Sequence, residues 1–200
     1  MNIPGRSLRA VSVLGAFLCG LVLVFAVILF VAGRSSSIGP AGAAVGGAFH
    51  LVDQDGKPVS DEDMKGRPFL VFFGFTHCPD VCPTTLFDIS QTLRALGPDA
   101  GRIGALFITV DPERDTPAVL KDYLSSFDPH LRGLTGDPAA VDAALKAYRV
   151  YAKKVPLKDG DYTMDHTAVV YLMDKNGRFV APFNMKRTAE AEAADLRGYL

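Results

Sequence analysis

Two cysteines, Cys78 and Cys82, are separated by three residues in "FGFTHCPDVCPTTL" (residues 73–86), and each is followed by proline. A thiol pair at this spacing has three chemistries open to it: a structural disulfide, a dithiol redox couple, or two soft ligands for a metal. If residues 79–83 open a helix, the two sulfurs fall about one turn apart on the same side. The free amides and positive end of such a helix stabilise thiolates and are expected to lower their pKa. A structural bridge gains little here, because it closes a very small loop and restrains little chain entropy. A metal needs a further ligand, and two thiolates with one imidazole suit copper in either oxidation state.

Four histidines are available as that ligand. His77 adjoins Cys78 and is placed to tune its thiolate, but backbone neighbours rarely bind one ion together. His130, in "DPHLRG", reads as the chemistry of a helix end. His50 falls in an expected edge strand, as a surface residue. His166, in "YTMDHTAVVYL", is expected at the start of a late strand, where an isolated histidine is more often structural than ligating.

The elements that position these residues follow from apolar periodicity. Two extended pieces flank Asp55-Gly56, a hairpin signal. The unbroken apolar runs 68–75 and 103–110 read as strands buried on both faces. Leu86, Ile89, Leu93 and Leu96 recur at helical spacing, with Gly97 as the stop. Asp115 or Thr116 caps a second helix carrying Leu120, Tyr123, Leu124 and Phe127, with Pro117 in its first turn. A short strand "RGLTG" precedes a helix after Asp137-Pro138 that carries Val141, Leu145 and Tyr148. Residues 167–183 form a hairpin around Asn176-Gly177, and a last helix starts near Thr188. This order predicts a layered α/β fold with a mixed sheet. Cys78 falls in a strand-to-helix loop, where sites form in such folds.

Residues 10–32 hold no charged residue and no proline, long enough as a helix to cross a bilayer. Arg6 and Arg9 precede the run and only Arg34 follows closely, which places the N-terminus in the cytoplasm and the rest outside. The run exceeds the apolar stretch of a cleavable signal, so an uncleaved anchor is expected in preference to a signal peptide. Cys19, preceded by Leu18, reads as a small apolar residue within the span, not a lipid-attachment site. The predicted organisation is an N-terminal arm (1–9), an anchor (10–32), a flexible Gly/Ser/Ala-rich linker (33–47) and a folded domain (48–200). A net charge of -1 excludes a nucleic-acid footprint, and three cysteines are too few for a disulfide-built fold.

The blocks "FFGFTHCPDVCPTTL", "VDPERDTP" and "MDHTAVVYLMDKNGRFV", in this order behind one apolar span, resemble the Sco/SenC family of copper-binding proteins. The resemblance runs from about Phe49 to the C-terminus. It implies a thioredoxin-like mixed sheet flanked by helices, with an insertion. It also implies one copper ion, Cu(I) or Cu(II), held by Cys78, Cys82 and His166, with Asp80 and Asp165 near the site or facing a partner. The family's activity is assembly of the dinuclear CuA centre of cytochrome c oxidase. Expected partners are therefore oxidase subunit II, an upstream copper donor and a thiol reductant. In the alternative reading, Cys78 and Cys82 act as a disulfide-forming pair that keeps the target's cysteines reduced. Only two arginines and one serine precede the span, which favours a bacterial plasma membrane over a mitochondrial inner membrane.

Overall fold

The apolar runs around Val71 and Leu106 become the middle of a seven-stranded sheet, because residues with no polar face can only be covered on both sides. This is a computed structural model that describes residues 19–22, 24–25, 45–158 and 160–200. The chain divides into two compact units, residues 1–42 and 43–200. In the first unit the described residues, among them Cys19, are helical and exposed. The expected anchor and linker lie almost wholly outside the described residues. Among those described, no helix is long and apolar enough to cross a membrane.

The second unit contains nine strands and four α-helices among its described residues. The strands are β1 (His50–Asp53), β2 (Pro58–Ser60), β3 (Phe69–Gly74), β4 (Gly104–Thr109), β5 (Leu131–Thr135), β6 (Ala152–Pro156), β7 (Tyr162–His166), β8 (Val170–Met173) and β9 (Phe179–Pro182). The helices are α1 (Val81–Leu96), α2 (Pro117–Leu124), α3 (Pro138–Ala147) and α4 (Ala189–Arg197). The large sheet runs β2-β1-β5-β4-β3-β8-β9, and β6 pairs with β7 apart from it. Strands β3, β4 and β5 are parallel, while β1 and β8 join them antiparallel, so the sheet is mixed as expected.

The helices cover the sheet with the side chains that the periodicity selects. Leu86, Ile89, Leu93 and Leu96 of α1 are all buried. α1 packs on α4, α2 on β5, and α3 on β1. Gly97 ends α1 at φ +58°, a conformation that favours glycine. Thr116, Asp137 and Thr188 cap the later helices through side-chain oxygens.

Two expectations need correction. β1, and His50 with it, is not an edge strand: β5 pairs on its other side, and the edge falls to β2. His166 does not open the strand of the late hairpin. It closes β7, in a separate two-stranded unit that lacks the apolar alternation of a half-buried strand, and β8 begins only at Val170.

Candidate metal centre

The cysteines stand where the most deeply buried strand hands over to its helix. β3 ends at Gly74, the chain turns through residues 75–79, and α1 begins at Val81 with Cys82 as its second residue. The turn is fastened from outside. Asp115, fully buried beyond the end of β4, accepts bonds from the Thr76 amide (3.1 Å) and the Thr76 hydroxyl (2.6 Å). It also accepts one from the Thr109 hydroxyl (2.6 Å). Burial pushes the Asp115 carboxyl up, and the bonds from Thr109 and Thr76 oppose that rise.

Cys82 is sealed by its neighbours. A Cβ at position 74 would come within 2.7 Å of its Sγ and 2.8 Å of the Phe107 ring, so only glycine lets the sulfur settle there. Cys78 is half-buried, and its sulfur accepts the Cys82 backbone N–H at 3.4 Å. No disulfide joins the pair.

The third group arrives on the small hairpin. His166 pairs with Ala152 in register, and its Nδ1–H donates to the Thr167 carbonyl at 3.1 Å. That bond leaves Nε2 with its lone pair toward the cysteines, 3.7 Å from the Cys82 sulfur. The Phe75 ring meets the imidazole edge to face, with centroids 5.7 Å apart. One ligand atom from each of Cys78, Cys82 and His166 thus lies within 4.8 Å of the others. Two soft sulfurs and one imidazole nitrogen, partly shielded from water, form a donor set that can bind copper.

The expected lowering of both thiol pKa values by the helix start is not what the structure gives for Cys82. Its sulfur lies inside the core, and burial pushes the thiol up, with Cys78 adding to the rise. A cation arriving at this sulfur must displace its proton.

The other polar residues singled out from the sequence do not join the group. His77 is exposed and shares a hydrogen bond with the Thr76 hydroxyl (3.1 Å). Asp80 occupies the N-cap position of α1 but its side chain caps nothing, and Asp165 is exposed opposite Lys153. His130 pairs with Asp128 at 2.8 Å. Sequence reasoning considered Asp115 only as a helix cap and passed over Arg114, Asp111 and Tyr162. The signal for Asp111, Arg114 and Asp115 is the polar block "VDPERD" directly after a buried strand, and nothing comparable marks Tyr162.

Comparison with known proteins agrees with this geometry. A family model described as SCO1/SenC matches residues 39–200. Among solved structures, Bradyrhizobium japonicum ScoI with copper bound is 68% identical, with a TM-score of 0.77 over 78% of this chain and 100% of that one. Yeast Sco1 with copper bound is 39% identical, with a TM-score of 0.71 over 78% of this chain and 88% of that one. The mitochondrial SCO1 homolog 1 of Arabidopsis thaliana is 41% identical over 139 residues, 69% of this chain; the match spans only 42% of that longer protein.

Proposed function

The chain belongs to the SCO1/SenC family, and from that premise we propose that it is a membrane-anchored copper metallochaperone for the CuA centre of cytochrome c oxidase. The observation that carries this reading is the convergence of Cys78, Cys82 and His166 within 4.8 Å. Copper is bound in the similar Bradyrhizobium and yeast proteins, and the same element, as cargo, fits the donor set here. The proposed ligands are the two thiolates and His166 Nε2. Thr167 fixes the imidazole tautomer, and Asp115 fixes the cysteine turn. Oxidase subunit II is the proposed recipient. Residues 10–32 are the proposed anchor in a bacterial plasma membrane, 33–47 the tether, and 48–200 the copper-binding domain outside the cytoplasm.

The test is titration of the reduced full chain with cuprous ion. One equivalent should bind, and His166→Ala should weaken it by about tenfold or more. Unchanged stoichiometry, affinity and spectrum in that variant would sink the three-ligand site.

A thiol-disulfide reductase is favoured by one specific observation, the asymmetry of the pair. Cys78 is half-exposed and bonded to a helix amide, as an attacking thiolate needs, while Cys82 is enclosed as a resolving thiol. Attack on a target disulfide would pass through a mixed disulfide. Cys82 would then displace the target sulfur, leaving Cys78–Cys82 oxidised and the target's two cysteines reduced. In a strain lacking the protein, rescue of oxidase activity by reductant but not by copper would favour this reading.

A further inference from the structure

The hairpin β6–β7 that carries His166 cannot hold its own position. Two strands alone are marginal in water, and most of this pair's side chains are exposed or only half-buried. Ala152 and Met164 rest against the core, and its polar attachments converge on the turn that follows β4. The Tyr162 hydroxyl donates to Asp111 Oδ1 at 2.9 Å, and Asp111 is itself buried. Arg114 Nε donates to the other oxygen of Asp111, at 2.5 Å. From the same guanidinium, Nη1 donates to the Tyr162 carbonyl (3.0 Å) and to Asp161 (3.2 Å). Its carbon stands 3.8 Å from the centre of the Tyr162 ring. Lys154, on the neighbouring strand, pairs with Glu113 and lies 4.5 Å from that ring centre. One further contact leads straight to the metal group: Arg114 lies 5.9 Å from the Phe75 ring, and Phe75 packs on the imidazole of His166.

The next residue in the chain is Asp115, which fastens Thr76 in the cysteine turn. Residues 111–115 therefore reach in two directions. Asp111, Glu113 and Arg114 hold the histidine hairpin, and Asp115 holds the cysteine turn.

We propose that Arg114, with Asp111 and Tyr162, is the positioning device that sets His166 against the two cysteines. The inference rests on the three-ligand reading of the site. It goes beyond that reading by assigning the imidazole's placement to a clamp that touches no metal ligand through a hydrogen bond. Breaking the clamp should free the hairpin and leave the cysteine pair where it is. Keeping the ring while removing only the Tyr162 hydroxyl should have a smaller effect of the same kind.

The experiment compares the full chain with Arg114→Ala, Tyr162→Phe and His166→Ala. Amide hydrogen exchange on the reduced, metal-free protein gives a readout that does not involve copper. In Arg114→Ala, exchange in 162–166 should speed up by about tenfold or more, while the Thr76 amide keeps its protection. After addition of cupric ion, nitrogen hyperfine coupling should report imidazole ligation in the parent. That coupling should be lost or heterogeneous in Arg114→Ala, with affinity down about 10–100-fold. Tyr162→Phe, which keeps the ring stack, should fall between parent and Arg114→Ala. The reduction potential of Cys78–Cys82 should match the parent in both clamp variants.

Unchanged hairpin exchange together with intact imidazole coupling in Arg114→Ala would overturn the proposal. A Cys78–Cys82 potential that moves along with the copper affinity would overturn it too, because the residue would then be general scaffolding. Should Arg114→Ala fail to fold, Tyr162→Phe decides by the same two readouts. Loss of coupling in His166→Ala with none in the clamp variants defeats only this inference. Coupling that survives His166→Ala defeats the three-ligand reading itself.

Discussion

Cys82 and His166 stand 3.7 Å apart, yet the chain brings them there by opposite means. Cys82 has no exposed surface, sits on a sixteen-residue helix and presses on Gly74 of the central strand. His166 is half-buried at the end of a two-stranded hairpin outside the main sheet, held by polar contacts from one turn and by Ala152 and Met164 against the edge of the core. Moving Cys82 means opening the core, where displacing packed side chains costs several kcal/mol. Moving His166 means lifting a hairpin with no fully buried side chain and breaking one small polar cluster around Asp111, whose hydrogen bonds are worth about 1 kcal/mol each. The proposed role, to hold an ion and then release it, would be served by one fixed half and one adjustable half.

The contrast can be broken most directly through Asp115. Asp115→Ala would leave the Thr76 amide and two threonine hydroxyls without their buried acceptor. A loss of about 2–4 kcal/mol is expected, read as a lower urea midpoint in equilibrium unfolding. A midpoint close to the parent's would show that the cysteine turn is not tied to the core, and the two halves would be alike.

A smaller effect follows from the buried sulfur. The Cys82 thiol is raised above its unfolded value, so the folded apoprotein holds that proton more tightly than the unfolded chain. Its contribution to stability is complete below the unfolded pKa of about 8.5 and is lost as pH rises above it, by about 1.4 kcal/mol per pH unit. Unfolding free energies of the apoprotein and of Cys82→Ser, measured from pH 7 to 10, should diverge with that slope. Parallel curves would mean that water reaches the sulfur and that the fixed half is not enclosed.

The smallest effect is expected at His77, next to a proposed ligand in the chain but exposed. His77→Ala should change stability by less than about 0.5 kcal/mol and leave the copper stoichiometry as it was. A lost equivalent of copper would move the third ligand off the hairpin and remove the contrast altogether.

Legibility in the sequence follows the same division. The fixed half announces itself, because 69–74 and 104–109 are buried along their whole length and α1 repeats its leucines at helical spacing. Cys78 and Cys82 inherit their place from those elements. The adjustable half is silent. Residues 152–156 read AKKVP and are mostly exposed, so neither periodicity nor composition marks a strand there. His166 is 84 residues from Cys82, and no local rule predicts that they meet; only the family resemblance supplied that pairing. Arg114 and Asp115 were obscured for a different reason. A polar run after a strand and before a proline looks like helix capping, and Thr116 does cap α2, while the two residues before it turn away to hold other segments.

The glycine under Cys82 gives the site a back and a front. Behind the sulfur lie the Gly74 backbone and the edge of Phe107, with no room for another atom. Cys78, by contrast, keeps part of its surface open. Anything that approaches the pair from solvent therefore meets Cys78 first, because Cys82 has no exposed surface. Access to this centre is one-sided.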